Sequence, residues 1–334
     1  MQHISICPIS VDYFDDTLHG RPLEISDSIL LEDISEIFEE TAFDAYVPKD
    51  HSEPEVESLK QMRYALTHRF ECTHQDEPLQ ENRSEQLLYK LYLGLKVVRP
   101  TAGRFEVLHY NTSEPAPRLP RWERNTRETI VCDCESLNRI RLVDLQELAA
   151  LGPSLLCALS IFRNPIAQAV QSLEVGYRAD FLNVRHLLWT IGLDALFTST
   201  EWENRGKQVA VSRIKDFLGP NLPIHCGIVS PDSALPEPAP TSLGVILDHI
   251  YDLRNDFAHG SWPETNWAGK VCRRSADGIR EIDYAEFLSE CASATLRAAL
   301  KKVLTDGDFV DMFNDKAKMN AHFASRGLIP TKRK

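Results

Sequence analysis

Residues 242–263, SLGVILDHIYDLRNDFAHGSWP, constrain the fold more than any other stretch of the chain. Leu243, Ile246, Ile250, Leu253 and Phe257 recur at steps of three and four, which predicts an amphipathic helix lying on a core. Gly260 can take the left-handed conformation just past a helix end, and Pro263 follows, so the helix should stop there. At about 100° per residue, Asn255 and His259 share one face, which Asp252 and Asp248 extend one and two turns earlier. That face is expected to lie opposite the apolar stripe, with Arg254 projecting between the two. Arg254, Asn255 and His259 would then gather at a helix end and look toward solvent or a partner. Taken as bare residues, a surface helix ending in an ordinary polar turn explains the same pattern, because the helix dipole favours a charged His near the C-terminus.

The order Arg254, four residues, His259 within LRNDFAHG resembles the R-x4-6-H signature of HEPN domains. Asn255 supplies the polar residue that usually follows the Arg in ribonuclease members. Two earlier segments fit as well: LDALF, from Leu193 to Phe197, and NRGKQVAVSRIKDFLG, from Asn204 to Gly219. Their order is similar to that of the Apea-like HEPN branch, over roughly residues 160–305. The resemblance implies an all-α HEPN-type helical bundle and a metal-independent endoribonuclease, of the kind found among toxins and phage-defence effectors. It also implies a homodimer in which two signature helices form one composite cleft.

In that reading His259 is the acid or base, since an imidazole titrating near neutrality suits either proton transfer. Arg254 clamps the phosphate through its planar donors, and Asn255 orients the His or the phosphate. Asp252 and Asp256 would hold Arg254 or tune His259. Arg178, Arg185, Arg205 and Lys207 are candidates for an RNA path, although each also reads as a solvated charge on a helix face. Two other readings stay open. One is a non-catalytic HEPN module that binds RNA or nucleotides; the other is a dimerising helical scaffold in which Arg254 only pairs with a carboxylate. RNA is the expected partner, with no DNA, no membrane and no cofactor.

The 334 residues are long for one core and suggest two domains. The expected division is an α+β accessory domain over 1–150, the helical domain over 155–305, and a helical extension and tail over 306–334. No apolar run reaches the eighteen or so residues of a membrane span. The acidic start, MQHISICPISVDYFDD, does not read as a signal peptide, so the expected compartment is the cytoplasm. The net charge of −12 is concentrated between Glu24 and Glu57, where twelve acidic residues face Lys49 alone. The C-terminal half is balanced, so it lacks the broad basic field of a tight nonspecific nucleic-acid binder.

The eight cysteines are scattered without framework spacing and read as reduced thiols. Cys132 and Cys134, and the group His68, Cys72 and His74, have ligand chemistry but lack a second pair at zinc-site spacing, so no metal is expected. No P-loop, GxGxxG, GxSxG or HExxH occurs.

Along the chain, ISICPI reads as a strand. Ser26 to Glu40 and Val56 to about Arg69 read as helices, as does Ser84 to Leu95 with its stripe of Leu87, Leu88, Leu91 and Leu95. Val97 and Val98, then FEVLHY, read as strand material around a turn. Arginines 118, 121, 124 and 127 surround Trp122 in a Pro-rich passage that reads as a connector, or as a stacking platform for a nucleic-acid strand. ETIVCDC reads as a strand and LVDLQELAAL as a helix. Beyond Ser154 helices are expected over Ile166 to Leu173, Arg178 to Thr198 and Asn204 to Leu218. The second of these should bury Phe181, Val184, Leu188, Ile191 and Ala195. Residues 219–241 read as a long loop bordering the site. KVCRRSADGIREI reads as a hairpin, Tyr284 to Val303 as a helix opened by Asp283 and Glu286, and the tail as one or two short helices.

Overall fold

The structure is a computed structural model that describes residues 2–9, 22–26, 28–34, 64–100, 105, 107–111, 140–161, 164–198, 206–224, 228–229, 241–260, 269–275 and 278–328. The chain divides into two compact units, one of residues 1–128 and 138–156, the other of residues 129–137 and 157–334.

The first unit is α+β. Five strands, β1 (Gln2–Ile9), β2 (Leu23–Ser26), β3 (Ile29–Asp33), β4 (Tyr64–Glu71) and β5 (Leu108–Asn111), form an antiparallel sheet in the order β2-β3-β4-β1-β5. Two helices belong with it, α1 (Glu77–Val98) and, through residue 156, α2 (Leu142–Ala158). Ile6, Ile34, Ala65 and Leu108 form a core cluster of this unit. Arg99, just past α1, holds Asp144 in the first turn of α2 through two hydrogen bonds of 3.1 and 3.2 Å, and Arg141 adds three more. Burial alone would raise the Asp144 carboxyl, but the bonds from Arg141 and Arg99 outweigh it and hold the pKa below its usual value.

Three local expectations are overturned here. The part of 26–40 that is described is strand rather than helix: Ile29 and Leu31 alternate inward and pair with β4. Residues 64–69 are strand rather than helix end, because Tyr64, Ala65 and Leu66 are buried between two neighbouring strands. Tertiary pairing overrides helical spacing in both. Val97 and Val98, expected as strand, are the buried last turn of α1. The Pro-rich arginine passage, ETIVCDC, Cys132 and Cys134 lie outside the described residues.

The second unit is mainly helical: α3 (Pro165–Arg178), α4 (Leu182–Phe197), α5 (Gly206–Leu218), α6 (Leu243–Ala258), α7 (Tyr284–Thr305), α8 (Gly307–Asn314) and α9 (Lys316–Ser325). It also carries short strands. β6 (Pro223–Ile224) pairs with β8 (Thr241–Ser242), while β9 (Lys270–Ser275) pairs with both β10 (Gly278–Asp283) and β7 (Ile228–Val229). The expected DG hairpin is β9–β10. α4 packs against α3, α6 and α7, so it is the central helix of the unit. Gly219, at φ +91°, ends α5 as the sequence predicts. Among the described residues no helix is long and apolar enough to cross a membrane.

Two expectations about α4 do not hold. The sequence predicts one helix over 178–198, but the chain breaks after Arg178 and restarts at Leu182. The stripe expected to be buried is outward: Phe181 is 71% exposed, and Val184 and Ile191 are exposed too. The opposite face, His186, Trp189, Thr190, Leu193, Leu196 and Phe197, is the one that packs inward. α4 is apolar nearly all round, so periodicity alone could not choose its inner side.

Candidate active site

The predicted stripe of α6 is buried in full, joined by Leu247 and Tyr251. The helix ends as expected. The His259 N–H reaches the Asn255 carbonyl at 3.0 Å, and Gly260 follows at φ +72°, a conformation that glycine adopts without strain.

Arg254 projects between the two faces, as the helical reading had it, but it turns back to its own unit rather than outward. At 100° per residue it falls about 40° from Ile250, at the edge of the apolar stripe. From there it reaches α4: Nη2 donates to Asp194 Oδ2 at 3.3 Å, while Nη1 donates to Asn255 Oδ1 at 3.1 Å. The Arg254 side chain keeps 35% of its surface exposed and Asp194 keeps 22%, so the guanidinium sits at the rim and is not sealed in. Two of its five N–H donors are engaged. The other oxygen of Asp194 accepts from the Tyr251 hydroxyl at 3.0 Å. Burial and the Asp194 charge raise the Tyr251 phenol well above its usual pKa, which keeps it a neutral donor. One carboxylate therefore holds a phenol and a guanidinium three positions apart on α6.

Behind Arg254 lies His186 of α4, fully buried. Its Nε2 lies 2.8 Å from the Ile250 carbonyl oxygen and its Nδ1 lies 3.0 Å from Ser289 Oγ of α7. A carbonyl only accepts, so Nε2 carries the proton and Nδ1 accepts from the Ser289 hydroxyl. Burial drives the His186 pKa down to about 4; the bond to Ile250 opposes this and the Arg254 charge adds to it. The imidazole also meets Phe257 edge-on, with ring centroids 5.6 Å apart. A neutral imidazole thus ties α4, α6 and α7 together one turn before Arg254.

The opposite face of α6 is partly covered rather than open. Asp252 pairs with Lys207 and Asp248 with Lys215, at 2.8 Å for the second pair, and both lysines belong to α5. Asp252 therefore faces α5, and the carboxylate at Arg254 is Asp194, not Asp252 or Asp256. Asp256 is half-buried and His259 exposed at the helix end. Among the candidates for an RNA path, Lys207 is the partner of Asp252. Arg178 pairs with Glu174 in its own helix, and Arg185 donates to the carbonyls of Ala179 and Asp180 at 2.8 and 3.0 Å. Arg205 lies outside the described residues.

The structure thus brings Arg254 and Asn255 into one hydrogen-bonded group, with His259 one turn beyond Asn255. Sequence reasoning missed Asp194, Tyr251, His186 and Ser289. A signal existed for the first, because Asp194 is the one charged residue within LDALF, a segment otherwise fit only for a core. Comparison with protein-family models, with curated proteins and with solved structures returns no match for this chain.

Proposed function

We propose that the second unit is a metal-independent endoribonuclease of HEPN type, acting as a homodimer whose composite site joins Arg254, Asn255 and His259 from two copies. The observation that carries this reading is the rim position of Arg254. Asp194 and Asn255 hold its guanidinium in a fixed orientation, it retains exposed surface, and the exposed His259 lies at the end of the same helix. A held Arg supplies a preorganised cation for the charge that builds on a pentavalent phosphate.

In the proposed reaction the His259 imidazole of one copy takes the proton from a ribose 2′-hydroxyl. The 2′-oxygen bonds to phosphorus, the bond from phosphorus to the 5′-oxygen breaks, and the partner copy's His259, acting from its imidazolium form, gives its proton to the departing oxygen and becomes neutral. The products are a 2′,3′-cyclic phosphate and a 5′-hydroxyl. The uncovered stripe of Phe181, Val184 and Ile191 on α4 supports association with a second copy, since it is an apolar face on the helix that carries Asp194. The first unit would sense a trigger or restrain cleavage.

The test incubates purified protein with RNA in EDTA and maps the fragment ends. Cleavage leaving cyclic phosphates, lost in His259→Ala and in Arg254→Ala while both variants keep their far-UV circular dichroism, is the expected result. Cleavage unaffected by His259→Ala refutes the assignment.

A second reading follows from the same ion pair. Asp194 already neutralises Arg254 within one chain, so Arg254 could serve only to join α4 and α6 in a helical scaffold. In that case Arg254→Ala loses stability, and neither RNA binding nor cleavage is found in the wild type.

A further inference from the structure

The first unit carries chemistry that the ribonuclease reading does not use. Side chains alternate along a strand, so His3 and Ser5 of β1 share a face. The register puts Ser5 opposite His68 of β4 on one side and opposite His109 of β5 on the other, with His3 opposite Phe70. The first half of α1 meets this face: Ser84 bonds to His68 Nδ1 at 2.8 Å, and Glu77 approaches His3. Between a sheet and the helix packed on it, apolar contacts are the rule. Here the imidazoles of His3 and His109 and the carboxylate of Glu77 are buried instead, with His68 and Glu81 half-buried beside them.

Three of these groups converge. His3, Glu77 and Glu81 each offer one ligand atom, and the three atoms lie within 4.8 Å of one another. His3 and Glu77 are buried and Glu81 is half-buried. His3 Nδ1 stands 3.8 Å from Glu77 Oε1. That is too long for a hydrogen bond, yet shorter than two metal–ligand bonds of about 2.1 Å laid end to end. Glu77 and Glu81 are four residues apart on one helix, so their like charges repel, and the burial of Glu77 sharpens that repulsion. A divalent cation between them removes it. His74 lies 3.4 Å from the other oxygen of Glu77 and steadies that carboxylate from outside.

We propose that His3, Glu77 and Glu81 form a site for a divalent transition-metal ion, of which Zn²⁺ is the type. One imidazole nitrogen with two carboxylate oxygens is a donor set for a borderline ion rather than for Mg²⁺ or Ca²⁺, which prefer oxygen throughout. Ligand atoms around a tetrahedral ion sit about 3.4 Å apart, so binding draws the three atoms together. Glu81, on a long and partly exposed side chain, makes that movement and lines the entry. Three protein ligands leave one coordination position for water or another group.

The test uses the full chain, stripped with EDTA and dialysed, and titrated with Zn²⁺ by calorimetry and with Co²⁺ by visible absorption. The expected result is one ion per chain, a rise in Tm on binding, and affinity weakened at least about tenfold by Glu81→Gln. His3→Gln is the second variant, with circular dichroism confirming that each stays folded. No stoichiometric uptake, uptake that both variants leave unchanged, or a Co²⁺ spectrum dominated by thiolate charge transfer overturns the proposal. None of these measurements reads RNA cleavage, so the outcome is independent of the function proposed for the second unit.

Discussion

Lowering the pH from 7 to 4 should destabilise the second unit through one residue, His186. An unfolded histidine titrates at 6.5, whereas the folded imidazole, buried between the Ile250 carbonyl and Ser289 Oγ, titrates at about 4. The folded pKa is depressed, so above pH 6.5 both states are neutral and His186 carries no penalty. As the pH falls from 6.5 toward 4, the unfolded chain takes up a proton that the folded chain refuses, and stability is lost. Below about 4 both states are protonated and the loss stops. At 1.36 kcal/mol per pKa unit the full loss is about 3 kcal/mol, of which about 2 kcal/mol has gone by pH 5. Protonating Nδ1 also turns an acceptor into a donor, so the Ser289 hydroxyl must rotate to accept instead. The assay is urea denaturation at a series of pH values for wild type and His186→Gln, a side chain that can donate to Ile250 but cannot titrate. His109, likewise held at about 4 by burial and then by His3, contributes the same trend in the first unit, so the quantity to read is the difference between the two proteins. It should narrow steadily between pH 6.5 and 4, and the His186 Cε1–H resonance should stay at its neutral position through pH 5. Parallel pH curves for the two proteins, or an imidazole titrating near 6.5, would falsify the reasoning.

Gly176→Ala tests the packing of α3 on α4. A Cβ there would stand 2.3 Å from Trp189 Nε1 and 2.7 Å from Cδ1. Trp189 is fully buried with its Nε1 donating to the Leu173 carbonyl at 3.3 Å. The ring must move, costing about 1–3 kcal/mol, against the roughly 1 kcal/mol that a helical Ala gains over Gly; chemical denaturation showing a net gain refutes the contact. Asp194→Asn keeps the shape of the carboxylate but turns an amide N–H₂ or a neutral oxygen toward Arg254. With both partners partly solvated the loss should be roughly 0.5–1.5 kcal/mol, and a double-mutant cycle with Arg254→Ala should show that the two losses overlap. If Arg254 works on phosphate, Asp194→Asn lowers kcat more than it raises KM, a split that a purely structural pair does not produce.

The α6 helix was legible because its stripe, its Gly260 stop and its length all agree, and each is a local property. The position of Arg254 is legible too: four residues after the buried Ile250, it falls at the edge of the stripe, between the two faces. Its partner was not legible. Asp194 stands sixty residues earlier in sequence, and only the packing of α4 on α6 brings them together. The reversed face of α4 shows the limit of periodicity, since a helix bearing Phe181, Val184, Leu188 and Ile191 on one side and Trp189, Leu193 and Leu196 on the other offers two apolar stripes. Residues 29–33 and 64–69 read as helix in the sequence for a related reason. Their hydrophobic residues satisfy both periods over so few positions, and pairing with β1 and with each other decides. The His3–Glu77–Glu81 group is the extreme case, since β1 and α1 are far apart in sequence and no spacing rule links them.

The pairing of Arg254 with Asp194 sets a condition on the proposed reaction. The pair is close to neutral, and the chain as a whole is strongly negative at −12, so neither attracts a polyanion over distance. A phosphate must share the guanidinium with Asp194, using the donors that Asp194 and Asn255 do not occupy. One such rim cation makes a weak site. Two of them, brought to one phosphate by association through the apolar face of α4, double the guanidinium donors at the phosphate and supply the second imidazole that acid–base cleavage needs. Affinity for RNA should therefore track dimer formation. Ile191→Asp, which places a charge in the middle of that exposed stripe without touching Arg254, His259 or the buried side of α4, should reduce sedimentation-detected association and RNA affinity together. Loss of dimer with undiminished binding and cleavage would mean that one copy suffices, and the composite site would have to be abandoned.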